Sequence, residues 1–263
     1  MKQLIVVGVS RRESDIERLS QLLPDLLDFS EALYIPLPRG LCEYLVRESL
    51  FRGGYDENIV LRYLNTSLER LWRPFIEKIS LVAREERYFD KQLVCYYRDD
   101  YIKSLEETGV EISRLLFLAN VYGRIDIDSW IKIYEKHDRT NIVREIYEET
   151  NQNKIIIVLE GYAEYLMNTL SNRELITRKC VVNEMIPTPP DILMIYLERE
   201  HVRNRDTLLE IIKWIIKYFN EIIESINFDQ VYRDLRENKE YMRLAKDLSL
   251  EIIKEICSET ILR

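Results

Sequence analysis

The sequence predicts an α/β fold with a mixed or mostly parallel sheet of about six short strands and helices on its flanks. Three observations support this class. Short aliphatic runs alternate along the chain with longer segments whose apolar residues recur at helical spacing. Hydrophobic residues make up 46% of the 263 residues, which is enough to build a core. Only 7 glycines and 7 prolines occur, and this disfavours a turn-rich all-β sandwich.

Six segments are predicted as strands. The runs at 3–9 and 154–159 are the clearest, because they hold consecutive Ile, Val and Leu residues. The other four predicted strands are 32–37, 79–83, 179–186 and 191–198. Because helical segments separate most of these strands, we expect parallel strands joined by crossover helices.

The segments between the strands are predicted as helices. The first helical pattern ends at Pro24, and a charged helix starts near Glu85 and continues past Cys95. One of Asp126 and Asp128 is predicted to cap the helix that follows, because a carboxylate accepts the free N–H groups of a first turn. The remaining helices are predicted over 40–52, 57–78, 99–120, 125–137, 163–171, 206–225 and 229–260.

Length and charge restrict the domain organisation and the partners. We interpret residues 1–200 as an α/β core with a helical insertion at 40–78, and residues 201–263 as a C-terminal helical extension packed on the core or on a partner. The net charge of −8 argues against a broad nucleic-acid surface. No segment approaches the ~18 apolar residues of a membrane span, so we predict a soluble, cytoplasmic protein. The abundant charged residues are typical of thermophile proteins.

The four cysteines are expected to be reduced thiols. Cys42, Cys95, Cys180 and Cys257 are far apart in the sequence, and they form no CxxC or Cys/His cluster. A structural zinc site is therefore not predicted. A disulfide framework is not predicted either, because the chain is long and shows no signal peptide.

Two strand-to-helix turns share one layout. LIVVGVSRRESDIERL and IIIVLEGYAEYLMNTL each contain an apolar strand, a glycine, a short turn and a helix. Gly8 and Gly161 permit a tight turn, and they lie at the carboxyl edge of the predicted sheet, where open α/β sheets bind ligands. Arg11 and Arg12 follow the first glycine, where they would contact an anionic ligand. The alternative interpretation is that each glycine only makes a tight turn.

Carboxylates supply the remaining candidate chemistry. Glu160, Glu164 and Glu85 are the candidate catalytic residues, either as acid and base or as oxygen ligands for a divalent cation such as Mg²⁺ or Mn²⁺. Parallel strands would bring these groups and the ligand-binding candidates to one edge of the sheet. The alternative is a set of ion pairs that caps the sheet. The ligand-binding candidates are Gly8, Arg11, Arg12, Glu31, Arg84, Arg87 and Gly161.

The order of these motifs resembles the TraB/ChaN-like family, which is related in fold to erythromycin esterases and Tiki metalloproteases. That family has a strand ending in GxxH, an acidic residue at the second strand, a helical insertion, a Glu/Asp-Arg motif and a second GxxH. Arg11 and Glu164 stand where the family has its histidines, which support metal-dependent hydrolysis in active members. Over residues 3–198, the matching places are Gly8–Arg11, Glu31, Arg84–Arg87 and Gly161–Glu164.

Three functional hypotheses follow. The resemblance, combined with the missing histidines, favours a non-catalytic or atypical member that acts as an intracellular binding or interaction protein. Its amphipathic C-terminal helices then bind a protein partner or a second copy of the chain. One alternative is a divergent, carboxylate-based, metal-dependent hydrolase. The other is a nucleotide- or phosphate-sensing domain in which Arg11 and Arg12 contact phosphate.

Overall fold

The sheet has five parallel strands in the described part of the chain, which confirms the α/β class. The computed structural model describes residues 2–51, 56–135, 139–162, 178–199, 204–225 and 227–257. The strand order is β3-β2-β4-β1-β5. The strands are β1 (Gln3–Val9), β2 (Ala32–Pro38), β3 (Gln92–Tyr97), β4 (Lys154–Glu160) and β5 (Arg178–Val181).

Helices fill most of the chain between and after the strands. Those before β4 are α1 (Glu13–Phe29), α2 (Arg39–Phe51), α3 (Glu57–Val60), α4 (Thr66–Val82), α5 (Asp99–Tyr122), α6 (Ile127–Glu135) and α7 (Arg139–Glu149), with a 3₁₀ turn at Glu86–Tyr88. Those after β5 are α8 (Pro189–Arg199), α9 (Arg205–Ser225), α10 (Phe228–Glu237) and α11 (Lys239–Asp247).

The central strands bury side chains on both faces of the sheet, as their continuous aliphatic runs predict. On one face, Ile5 and Val158 belong to the same core cluster as side chains of α1, α2 and α4. On the other face, Val6 and Ile157 cluster with Val143 and with other side chains of α7.

The chain divides into two compact units. As far as they are described, the first comprises Met1–Ile102, Ile142–Met185 and Ile253–Arg263, and it contains the sheet. The second comprises Lys103–Asn141 and Ile186–Ile252 and is helical. Its core includes the predicted apolar stripe of α9, which is buried at Leu208, Ile211, Ile212 and Ile215.

Four predictions of local structure are wrong. The segments 79–83 and 191–198 are not strands: the first is the end of α4, and the second lies within α8. The charged segment predicted as a helix from Glu85 contains the 3₁₀ turn and then β3. Helix α1 does not end at Pro24 but continues to Phe29, because the buried side chains beyond the proline hold it on the core.

The predicted helix over 229–260 is also interrupted. Asn238 ends α10, and its side chain accepts hydrogen bonds from the N–H groups of Glu240 and Tyr241 at the start of α11. Beyond α11, residues Ile253 and Ile256 form isolated bridges to Met185 and Val181. The C-terminal region is therefore not helical throughout.

The four cysteines form two disulfides, so the expectation of reduced thiols is wrong. Cys42 of α2 bonds to Cys95 of β3, and Cys180 of β5 bonds to Cys257. The partners are 53 and 77 residues apart in sequence, yet their Cα atoms lie 5.5 and 5.0 Å apart. Chain length and spacing did not reveal these pairs, since only the folded sheet brings each pair into bonding distance.

Two further points concern the extent of the helices. The predicted helix over 163–171 lies outside the described residues. Within the described ranges, none of the helices combines the length and the hydropathy that crossing a bilayer requires.

Candidate functional site

The strand order puts a topological switch point at the carboxyl ends of β1 and β4, where a crevice is expected. These strands are neighbours, but β1 connects to β2 on one side, whereas β4 connects to β5 on the other. When the connections of two adjacent parallel strands leave in opposite directions, they open a crevice outside the strand ends, and ligands of open α/β sheets bind there. The turn that follows Gly8 and the turn at Gly161 both lie at the carboxyl ends of these two strands.

An ion pair spans the crevice. Nη2 of Arg11, two residues after β1, lies 2.9 Å from Oε2 of Glu160, the last residue of β4. The Arg11 side chain is 48% exposed, whereas that of Glu160 is 9% exposed. The structure therefore brings together two of the predicted site residues, and the cation is the one that solvent reaches.

A buried polar network lies beside this pair. The carboxylate of Asp15 is fully buried and accepts hydrogen bonds from the backbone N–H and the hydroxyl of Ser10, at 2.9 and 2.6 Å. It also accepts from Arg12 Nη2 at 2.7 Å and from the amide of Asn183 at 2.9 Å. Arg12 donates further to the Ser10 hydroxyl and to the carbonyl of Glu184. Arg12 therefore holds the turn together, in contrast to the more exposed Arg11.

The two glycines have different roles. Gly161 has a φ of +89°, a region that favours glycine, and its N–H donates to the carbonyl of Val9 at 2.8 Å. Gly8 lies within β1, and its carbonyl accepts from the N–H of Val182 at 3.0 Å. The tight-turn interpretation therefore fits Gly161, while Gly8 is a strand residue.

Four of the predicted site residues lie at the opposite, amino edge of the sheet. Glu31 precedes β2, and its carboxylate accepts from the backbone N–H of Asn153 at 2.8 Å. Arg84, Glu85 and Arg87 lie between α4 and β3. A seven-residue strand spans roughly 20 Å, so the two groups are separated by the height of the sheet. The expected convergence on one edge is wrong, because 79–83 is helical and Glu31 comes before its strand.

The amino-edge charges pair with each other. Arg87 Nε lies 2.9 Å from Glu85, and Nη1 of Arg87 lies 3.5 Å from Asp28. The hydrogen bond that Arg87 donates to the Glu85 carboxylate raises the pKa of Arg87. Burial, with a further contribution from the Asp28 charge, raises the pKa of Tyr88 to about 12. These contacts match the alternative interpretation of ion pairs that cap the sheet.

The sequence did not single out Ser10, Asp15 or Asn183 as site residues. The available signal was an acidic residue in the first turn of α1, directly after the glycine motif. Glu164 lies outside the described residues. Among the residues that are described, no three His, Cys, Asp or Glu side chains are grouped so that they could hold a metal ion.

Comparison with known proteins finds no match: no family model fits the sequence, and no curated protein or solved structure matches it.

Proposed function

We propose that this protein is a non-catalytic binding protein that takes a small, phosphate-bearing ligand in the crevice between β1 and β4. The observation that carries the proposal is the half-exposed Arg11 guanidinium at this crevice, bonded to Glu160. A guanidinium presents several donors in a planar fork, and this geometry suits phosphate oxygens.

The surrounding network supports the assignment of Arg11 as the ligand contact. Arg12 is only 13% exposed and donates to Asp15, Ser10 and the Glu184 carbonyl, so its donors are used by the fold. The Arg11 side chain pairs with Glu160 but is 48% exposed, so a ligand phosphate would reach its guanidinium from solvent.

The arrangement of the carboxylates supports a binding role more than a hydrolytic one. Glu85 is at the amino edge, far from Glu160 at the carboxyl edge. Asp15, the fully buried acid near the crevice, accepts four hydrogen bonds and has no exposed oxygen to offer a substrate. In the proposed TraB/ChaN-like relationship, Arg11 replaces a motif histidine, which also favours a non-catalytic member.

Calorimetric titration with pyrophosphate tests the proposal. We expect wild type to bind pyrophosphate, with an affinity that falls as salt is added, because the contact is between charges. Arg11→Ala should weaken binding about tenfold or more, since a hydrogen bond to a charged group contributes roughly 1.5–3 kcal/mol. Glu160→Gln should strengthen binding, because it removes the carboxylate that competes for Arg11.

Arg144→Ala is the matched control. Arg144 forms an exposed ion pair with Glu148 on α7, so its replacement removes the same charge without touching the crevice. If folded wild type binds no pyrophosphate, or if Arg144→Ala loses as much affinity as Arg11→Ala, the proposal is wrong. Calorimetry with Mn²⁺ addresses the hydrolase alternative: tight Mn²⁺ binding that Glu160→Ala abolishes would favour it.

We also propose that the protein binds a second copy of itself through α5. The apolar side chains Leu208, Ile211, Ile212 and Ile215 of α9, which we expected to pack either on the core or on a partner, are buried within the chain, but other apolar side chains remain exposed. On α5 these are Val110, Phe117 and Val121, whose spacing of seven and four residues puts them on one side of the helix. Exposed apolar patches of this kind mark protein interfaces.

A further inference from the structure

Residues 253–257, which we call the C-terminal strap, lie along the outer side of β5. This strand is at the end of the strand order, and β1 is on its inner side. On the outer side, the N–H of Val181 donates to the carbonyl of Glu255 at 2.8 Å, and the N–H of Cys257 donates to the carbonyl of Val181 at 2.8 Å. The strap and β5 belong to the same compact unit. The strap therefore covers the edge of the sheet next to β1.

Two further contacts hold the strap in place. Met185 and Ile253 exchange backbone hydrogen bonds in both directions, at 3.0 and 2.8 Å. The bond between Cys180 and Cys257, which we call the strap disulfide, joins the end of the strap covalently to β5. The segment 182–184 therefore lies between two places at which the strap is bonded to the chain.

This intervening segment supports the candidate anion site. The amide of Asn183 donates to the buried Asp15 carboxylate at 2.9 Å, and the carbonyl of Glu184 accepts from Arg12 at 3.0 Å. Asp15 and Arg12 in turn hold the turn that contains Arg11. The strap is therefore connected to the exposed guanidinium through a continuous series of contacts.

We propose that the strap disulfide makes the anion site redox-sensitive: the anionic ligand binds more tightly to the oxidised protein than to protein reduced by a dithiol. This inference rests on the function proposed above, because it concerns the regulation of the same site. The dithiol supplies two electrons and two protons, the S–S bond becomes two cysteine thiols, and the dithiol becomes its own disulfide. The strap then loses its covalent attachment to β5, and the segment 182–184 holds Asp15 and Arg12 for a smaller fraction of the time.

The burial of the sulfurs explains how reduction and opening of the strap are linked. Cys180 and Cys257 are each 1% exposed, whereas the side chains of residues 254–256 are exposed. A dithiol therefore reaches the disulfide when the strap opens locally, as segments with few buried side chains do. Reduction then favours the open strap, because the bond that returned it to β5 is gone.

The other disulfide of the chain is the matched control. Cys42 and Cys95 are also buried, and they join α2 to β3. Strand β3 is at the opposite end of the strand order, with β2, β4 and β1 between it and β5. At the usual spacing of neighbouring strands, β3 and β5 lie roughly 19 Å apart. Removing this bond takes away the same kind of constraint on the far side of the sheet.

Calorimetric titration with pyrophosphate compares the two disulfides. Cys180→Ala/Cys257→Ala should bind roughly threefold to tenfold more weakly than oxidised wild type, as expected when the binding-competent site is populated for about a third to a tenth of the time. Cys42→Ala/Cys95→Ala should keep the wild-type affinity. Dithiothreitol should weaken binding by wild type to the same extent and should leave the affinity of the first variant unchanged. Circular dichroism would verify that each protein is folded.

Asn183→Ala provides a variant that keeps both disulfides. It removes the amide that donates to Asp15 and thereby breaks the connection between the strap and the network. We expect pyrophosphate binding to weaken in this variant as well. Wild-type affinity in folded Asn183→Ala would contradict the inference, whether or not the cysteine variants fold.

Hydrogen exchange separates this inference from the proposed function. The backbone N–H of Ser10 donates to the Asp15 carboxylate, so its exchange rate reports on the network without any ligand. We expect faster exchange in the variant that lacks the strap disulfide than in the variant that lacks the other one. Equal exchange in the two folded variants would overturn the inference, and so would an affinity for pyrophosphate that loss of the strap disulfide does not change. If wild type binds no pyrophosphate, the proposed function is wrong, and the exchange rates alone decide whether the strap disulfide controls the network.

Discussion

Asp15 illustrates how a single side chain fixes the geometry of the candidate site. A fully buried carboxylate is unfavourable unless several donors compensate for its lost hydration. Here the donors come from both sides of the turn, from Ser10 and Arg12 after β1 and from Asn183 after β5. The network thereby fixes the turn that leads to Arg11. The buried Asp15 carboxylate therefore helps to position the exposed Arg11 guanidinium.

Asp15→Asn should destabilise the protein. An amide replaces one oxygen by an NH₂ group that faces donors, and it removes the charge that pairs with Arg12. We expect the free energy of unfolding to fall by about 3 kcal/mol, as when one partner of a buried ion pair is lost. Urea unfolding measures this, with Asp25→Asn on the exposed side of α1 as a control that should change little. Equal stability of the two variants would contradict the role given to the network.

The residue types along the chain predicted only some of the residues that lie at the crevice. Arg11 and Glu160 were recognisable because each follows or ends a long aliphatic run that was predicted as a buried strand. Asp15 was not recognisable, because the sequence does not show whether an acidic residue in the first turn of a helix is exposed or buried. Glu31 was predicted at the wrong edge of the sheet. A residue that precedes a strand and one that follows it are separated by the whole length of that strand.

At the scale of the element, helix α6 shows a capping interaction that the sequence predicted. Of the two candidates, Asp126 is the cap: its carboxylate accepts from the Ser129 backbone N–H at 3.2 Å and from the Ser129 hydroxyl at 2.9 Å. These hydrogen bonds lower the pKa of Asp126. The charged form is therefore the one that stabilises the start of the helix.

The stabilisation by Asp126 should depend on pH. Because the folded-state pKa is lowered, the contribution is complete above the unfolded-state pKa of about 3.9 and is lost as the pH falls through the folded value. Asp126→Ala should reduce the free energy of unfolding by about 1 kcal/mol at pH 7 and by less in acid. Denaturant unfolding across this pH range is the measurement. Asp128→Ala, which removes an equal charge without these hydrogen bonds, should cost less, and an Asp126 effect independent of pH would contradict the mechanism.

The elements differ in how well their sequences define them. Strands β1 and β4 were predicted because long β-branched runs suit a strand buried on both faces. The runs at 79–83 and 191–198 are equally apolar but form helices, since periodicity does not separate a short buried strand from one side of a buried helix. Strand β3 was missed because QLVCYY is partly exposed and stands between charged segments.

At the scale of the whole molecule, the proposed self-association can be measured by sedimentation equilibrium. We expect a dimer of wild type, because Phe117 and Val121 leave apolar surface on α5 in contact with water. Phe117→Asp should shift the protein to the monomer, as a charge in the interface would lose its hydration. Phe89→Asp is the control: this phenylalanine is equally exposed but lies in the other unit, and its replacement should leave the dimer intact. A monomeric wild type would reject the proposal.

The bond between Cys180 and Cys257 closes a covalent ring that contains the whole segment of the second unit from Ile186 to Ile252. A single break of the backbone anywhere inside that ring divides the polypeptide into two pieces without releasing either of them. The ring closed by Cys42 and Cys95 acts in the same way on helices α3 and α4. A chain cut within either ring therefore keeps the mass of the intact protein until its disulfides are reduced.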